Sequence, residues 1–292
     1  MFVFSPDIIL EREEFQLLRD FIYQHCGLHF ADESKYLLEK RLNKRLSELH
    51  LSCFREYYYQ LRYGQNRDQE LAAAIDLLTT NETYFFREDF QLQTFTNEVI
   101  PELVKTKLMR RERSIRIWSA GCSSGEEPYT LAMLLLENPL LQGWSIEIIG
   151  TDISQRVLKT AREGLYGQNS FRATDENILK RFFTPVGQKW QIDSRVKDLV
   201  SISHLNFFDN HRVALLGMMD VVFCRNVIIY FDLDAKKRAI SILHNRLRPG
   251  GYLLLGHSES LMNVSSDFCL RHFTNDMLYQ RPDSAKNAER GS

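Results

Sequence analysis

The chain has 292 residues, 44% hydrophobic and 26% charged, with a formal net charge of -1, enough for one large domain and a smaller one. No apolar run nears the ~20 residues that a membrane-spanning helix needs, and the near-zero charge gives no overall pull towards nucleic acid or anionic lipid. The cysteines, Cys26, Cys53, Cys122, Cys224 and Cys269, are odd in number and never form a CxxC pair, which argues against a disulfide framework or a zinc knuckle and fits the reducing cytoplasm. No metal site and no secretory signal are expected.

The first 80 residues read as an all-α domain. Helices are expected over 11–25, 36–49, 53–63 and 68–79, with Gly27 and Gly64 as stops. Leu38, Leu42, Leu46 and Leu49 form one stripe at helical spacing. The same helix carries Lys40, Arg41, Lys44 and Arg45. Between residues 35 and 62, seven Lys/Arg face three Glu, a local charge of +4. That surface is expected to dock an acidic partner, the alternative being a solvated helix face. Residues 81–112 read as a linker helix. From Ser114, β-rich runs (115–118, 146–150, 220–224, 251–255) alternate with helical segments (128–137, 155–163, 233–247). Such alternation predicts βαβ units and a mainly parallel sheet. The stretch 183–204 breaks the rhythm and reads as a small antiparallel insertion. The main domain is placed at 113–282, and 283–292 is expected to be a disordered tail.

Four segments carry chemistry. In Trp118-Ser119-Ala120-Gly121-Cys122-Ser123-Ser124-Gly125-Glu126-Glu127-Pro128, a strand enters a small-residue turn and then a helix. Small residues such as Gly121 let a ligand approach the backbone at the carboxyl end of the strand, although a ligand-free turn has the same form. Asp152, at the end of the next strand, suits the hydroxyls of a ribose. A dinucleotide would place its pyrophosphate on the helix N-terminus, where Glu126 and Glu127 would repel it. A ligand with an ammonium group and no phosphate fits better, which favours S-adenosylmethionine over a nicotinamide cofactor. One of the two glutamates is expected to do no more than compensate the helix dipole. The third segment, Phe223-Cys224-Arg225-Asn226, ends a later strand at the same edge, and the Tyr230 ring or hydroxyl can lie near a sulfonium or be packed away. In the fourth, Asn81-Glu82-Thr83-Tyr84-Phe85-Phe86-Arg87-Glu88, Asn81 and Thr83 offer hydrogen bonds and Arg87 a grip on a carboxylate.

Together these segments resemble the CheR family of chemotaxis receptor methyltransferases, in order and over nearly the whole chain. Leu247-Arg248-Pro249-Gly250-Gly251-Tyr252 and Gly256-His257-Ser258-Glu259 extend the likeness. The resemblance implies a Rossmann-like class I methyltransferase domain (α/β) with a small antiparallel β-subdomain, preceded by the all-α domain. It implies cofactor contacts at Asn81, Thr83, Arg87, Glu127, Asp152, Asn206, Phe207, Arg225 and Asn226, with Arg87 and Tyr230 nearest the reacting methyl group. Of the two glutamates, Glu127 is favoured for the cofactor.

The implied activity is methyl transfer from S-adenosylmethionine to glutamate carboxylates on the cytoplasmic helical bundle of a methyl-accepting chemotaxis receptor, leaving S-adenosylhomocysteine. With a reference pKa of ~4.3 the acceptor is already a carboxylate at neutral pH, so no general base is needed and positioning dominates. Some relatives bind a receptor C-terminal peptide through a glycine-containing loop of the β-subdomain. Here the matching stretch, Thr184 to Arg195, is short with one glycine, and direct receptor binding by a monomer is expected. The competing readings are an RNA methyltransferase, with the basic helix as RNA surface, and a non-catalytic module that binds cofactor and signals.

Overall fold

A computed structural model describes residues 8–283; the expected tail lies, beyond Asp283, outside them. Four helices open the fold: α1 (Arg12–Cys26), α2 (Lys35–Glu48), α3 (Phe54–Tyr63) and α4 (Arg67–Leu78). Glu14 ties two of them together. Its carboxylate accepts from the Glu11 N–H (3.0 Å) at the start of α1 and from the Arg55 N–H (2.9 Å) in the first turn of α3. Gly27 ends α1 in the left-handed region (φ 72°), where a Cβ would lie 2.3 Å from the Phe208 ring; only glycine meets both demands.

The basic face of α2 divides in two. Lys40 and Lys44 are exposed, but Arg41 and Arg45 are committed internally, which corrects the expectation that all four dock a partner. Arg45 donates to both oxygens of the buried Glu70 (2.9 and 2.6 Å), which also accepts from the Tyr57 hydroxyl (2.8 Å). Arg41 donates to the Leu78 carbonyl (2.5 Å), an orphan acceptor at the end of α4, and to the Thr80 hydroxyl (3.2 Å). Buried acceptors left by neighbouring helices draw in the longer, forked side chains.

Residues 81–88 are not helical, unlike the linker helix expected there. The helix begins after them as α5 (Asp89–Thr94), passes through a π-helical turn (Phe95–Val99) and continues as α6 (Ile100–Met109). Pro101 stands two residues beyond the end of the π turn; lacking an N–H, it cannot serve a regular helical ladder.

The α/β part then runs β1 (Ser114–Ala120), α7 (Glu126–Leu136), β2 (Ser145–Asp152), α8 (Gln155–Glu163), β3 (Leu165–Tyr166), α9 (Glu176–Phe182), β4 (Phe183–Val186), β5 (Lys189–Ile192), α10 (Ser194–Lys197), β6 (Val200–His204), α11 (Asn210–Ala214), β7 (Met219–Cys224), α12 (Leu233–Arg246), β8 (Leu247–Leu255), β9 (Cys269–His272) and β10 (Met277–Gln280). The main sheet has the order β6-β2-β1-β7-β8-β10-β9. Its first five strands are parallel, and β10 and β9 add an antiparallel edge. A separate sheet, β3-β5-β4, is antiparallel. The insertion expected over 183–204 is therefore smaller on one side and larger on the other. Val200–His204 belongs to the main sheet as its parallel edge strand, and Leu165–Tyr166, before the insertion, supplies the third strand of the small one. The pattern Val-Ser-Ile-Ser-His alternates as an edge strand does, which hides its parallel partner.

Along β7 and β8 successive side chains enter opposite clusters. Val222, Cys224, Leu253 and Leu255 face one, and Val221, Phe223, Tyr252 and Leu254 the other. The first cluster also holds Leu38, Leu42, Leu46 and buried residues of α1, α3 and α4. The N-terminal helices thus share their core with one face of the sheet and with α12, while α5–α7 and the small sheet pack on the other.

Glu70→Ala should lower the stability of the folded chain by about 2 kcal/mol, because it leaves the buried Tyr57 hydroxyl without its acceptor and Arg45 with Glu48 alone. Urea denaturation read by circular dichroism checks this; an unchanged midpoint would show that the network is dispensable.

Candidate active site

The strand order reverses between β1 and β7, and a cleft opens beyond the carboxyl ends of the strands there, as open α/β sheets dictate. Gly121, Cys122 and Ser123 after β1, Asp152 and Ile153 at the end of β2, Leu205 to Phe207 after β6, and Arg225 to Val227 after β7 form its floor. Residues 79–84 and Arg87 wall one side, and Cys26 and Leu28 from the end of α1 close another.

Each floor segment is held from below. The Gly121 and Cys122 N–H groups donate to the Thr151 carbonyl (2.8 and 2.9 Å). Gly121 has φ 84°, and a Cβ on it would lie 2.4 Å from Val227. Asp152 accepts one backbone N–H on each oxygen, from Ser123 (2.8 Å) and Ser154 (2.9 Å). Burial pushes its carboxyl above the usual range, against the lowering effect of those donors. Trp118, fully buried, donates to the Thr151 hydroxyl (2.9 Å) and packs its ring 5.5 Å from that of Phe207. Asn206 donates to the His25 carbonyl (2.6 Å) and accepts from the Phe208 N–H (3.0 Å).

The charged centre lies at Arg225, whose side chain is only 4% exposed. Its guanidinium meets Glu127 (3.2 Å), Glu88 (3.0 Å) and the Arg87 carbonyl (2.6 Å). Glu127 also accepts from the Ser119 hydroxyl (2.7 Å). Burial raises its pKa, and Arg225 and Ser119 pull it back. Glu126 turns the other way, accepting from Ser124 (2.7 Å) and from Ser170 (3.0 Å) beside the small sheet. Of the two glutamates only Glu127 lines the cleft.

The loop after β7 is organised by Glu259. Its two oxygens accept from the N–H groups of Asn226 (2.8 Å), Val227 (2.9 Å), Ile229 (3.2 Å) and Gly256 (2.8 Å). Backbone strain gathers at the same place. Phe86, Glu88, Ser123 and Asn226 all have φ between 50° and 59°, a conformation that L-residues hold only where their surroundings over-determine it. Phe85 anchors the wall, its ring 4.8–5.3 Å from those of Tyr166, Phe171 and Phe183. Tyr84 lies under the Arg172 guanidinium, which is 3.8 Å from its ring centre.

Asn81, Thr83, Arg87, Gly121, Glu127, Asp152, Asn206, Phe207, Arg225 and Asn226, named from sequence, therefore meet in one cleft. Tyr230 does not join them. It sits in a short 3-10 turn, partly buried against the core shared with the N-terminal helices, and its neighbour Phe231 lines the cleft instead. Sequence reasoning gave no role to Glu88 and Glu259, although both lie inside motifs quoted above; their partners are distant in the chain and come together only in the fold.

The donor set suits an adenosine-bearing cation. Asp152 keeps acceptor capacity for hydroxyls, Glu127 offers a buried carboxylate to an ammonium, and the α7 N-terminus carries acids where a phosphate would need bare N–H groups.

Residues 13–79 match the family model described as "CheR methyltransferase, all-alpha domain", and residues 81–276 match "CheR methyltransferase, SAM binding domain". The chain is 37% identical to chemotaxis protein methyltransferase 2 of Vibrio cholerae, over 98% of this chain and 99% of that protein. It is 33% identical to chemotaxis protein methyltransferase 1 of Pseudomonas aeruginosa, over 91% and 97%, and 34% identical to the chemotaxis protein methyltransferase of Borreliella burgdorferi, over 88% and 92%.

Gly121→Ala should weaken S-adenosylmethionine binding at least tenfold, because the new methyl group must displace Val227 and with it the loop that carries Arg225. Isothermal calorimetry checks this; wild-type affinity would mean that the two turns move independently.

Proposed function

The chain belongs to the CheR methyltransferase family, and from that premise we propose that it esterifies glutamate side chains on the cytoplasmic bundle of a chemotaxis receptor, with S-adenosylmethionine as methyl donor. The observation that carries this reading is the convergence of Asp152, Glu127 and Arg225 with Arg87 in one cleft at the switch point of the sheet. When bound, S-adenosylmethionine supplies an electrophilic methyl group that passes to a carboxylate oxygen as its bond to sulfur breaks, the electron pair staying on sulfur.

The chain's own residues hold and orient. Asp152 takes the ribose, with Asn206 and Phe207 beyond it, and Glu127 with Arg225 takes the amino-acid end. Asn81 and Thr83 close the wall over the cofactor, and Gly121 lets it approach the backbone. Arg87 sits at the lip with its side chain about a quarter exposed (27%). It donates to the Glu82 carbonyl (2.9 Å), and among the described residues its nearest carboxylate is Glu88 at 4.0 Å, which leaves donors to meet an incoming acceptor. No group is needed as a base, since the acceptor arrives ionised.

The receptor reading also has an electrostatic logic. Each ester removes one negative charge from a crowded bundle, where a close like-charge pair costs about 1 kcal/mol in water and more near a protein surface. Docking falls to Lys40 and Lys44, the two α2 cations that remain exposed. The β4–β5 hairpin turns through Gly187-Gln188 alone, too short a loop for the peptide-binding mode of some relatives, which supports direct receptor binding. Among the described residues no helix is long and apolar enough to cross a membrane. The proposed acceptor, the cytoplasmic bundle of a receptor, implies an enzyme that works in the cytoplasm, and we propose that it does so as a monomer.

With radiolabelled S-adenosylmethionine and a receptor cytoplasmic fragment, label should enter the fragment and leave as methanol in mild alkali. Alkali-stable label, or none, would overturn the assigned acceptor. Reversing Lys40 and Lys44 together to Glu should raise KM for that fragment about fivefold at low salt, with the difference shrinking as salt screens it. An unchanged KM would remove α2 from the docking surface.

A further inference from the structure

Arg225 is a buried cation in a cleft assigned to a ligand that itself carries net positive charge. S-adenosylmethionine has an ammonium, a carboxylate and a sulfonium; the product has lost the sulfonium charge and is neutral overall. A guanidinium there, uncompensated, would favour the product over the substrate. Glu127 compensates part of it, but Glu127 is also the carboxylate offered to the ligand's ammonium. Among the described residues the other carboxylate on that guanidinium is Glu88, which is not part of the cleft lining and meets Nη2 at 3.0 Å while Glu127 meets Nη1.

Glu88 is held there at a cost. It occupies the left-handed region (φ 59°) just ahead of α5, and Phe86 on the other side of Arg87 does the same. Its side chain is 13% exposed, and its Oε2 is buried without a well-aligned hydrogen-bond donor. The titratable group facing it from a neighbouring element is the exposed imidazole of His257, at 3.9 Å; the Nε of Arg87, on its own segment, is 4.0 Å away. A glycine or asparagine would relieve the backbone, but neither would supply the charge.

We propose that Glu88 is a positioning residue that shifts the balance of the cleft towards the sulfonium-bearing substrate and away from the neutral thioether product. It neutralises Arg225 at Nη2 and leaves Glu127 for the ligand. The inference rests on the reading that this cleft takes S-adenosylmethionine. It concerns the balance between two ligands, which a purely structural role for Glu88 would not move.

The test is calorimetric titration of the full chain with S-adenosylmethionine and, separately, S-adenosylhomocysteine. For Glu88→Gln the substrate should bind about fivefold more weakly while product affinity changes less than twofold. Glu88→Asp, which keeps the charge, should restore the wild-type ratio. Parallel loss for both ligands, or no change for either, overturns the proposal, as does a Glu88→Asp ratio equal to that of Glu88→Gln. Asp152→Asn is the control for the underlying reading. It should weaken both ligands alike, and if it weakens neither, the cleft assignment itself falls, whatever Glu88 does.

Discussion

The guanidinium of Arg225 is the point at which the molecule is tied together. It is almost wholly buried, and a buried charge is tolerable only when paired and hydrogen-bonded. Its partners come from separate parts of the chain: Glu127 from the first turn of α7, Glu88 and the Arg87 carbonyl from the segment ahead of α5, and Arg225 itself from the loop after β7. Burial of one cation therefore sets the relative placement of wall, floor and helix N-terminus. Glu259 serves the same loop from below through backbone groups alone, so the loop is gripped at both its side-chain and main-chain ends.

That arrangement explains where strain is stored. Residues 86, 88, 123 and 226 hold left-handed conformations around the cleft, and none is glycine. The surrounding bonds compensate for the strain: Phe85 locked among three aromatic rings, the Ser123 N–H on Asp152, and the Asn226 N–H on Glu259. Preorganisation matters for a reaction that needs alignment and no proton transfer.

Much of this was legible in the sequence because it depends on local patterns. The leucine stripe of α2, the alternation of strands and helices, and the strand-terminal Asp152 and Arg225 each follow from spacing within a few residues. What was not legible depends on partners far apart in the chain. The alternating pattern of Val200–His204 looked like part of a hairpin because nothing local says that β2 lies beside it. Arg41 and Arg45 looked like their neighbours Lys40 and Lys44 until Leu78, Thr80 and Glu70 drew them inward. Tyr230 follows Arg225 and Asn226 closely in sequence, yet it lies in a 3-10 turn after which Phe231, and not Tyr230, lines the cleft. Nor does composition reveal that the N-terminal helices share a core with the sheet; their apolar faces have the same pattern whether they meet each other or β-strands.

Arg41 has a consequence of another kind. It stands between Lys40 and Lys44 in sequence, on the helix whose outer face is free, and its guanidinium ends on Leu78 and Thr80, the latter immediately before Asn81 at the cleft wall. The outer and inner faces of α2 are thus one side chain apart. The Arg41 guanidinium thus joins α2 directly to the residues that wall the cleft, so the position of that helix and the position of Thr80 are set together.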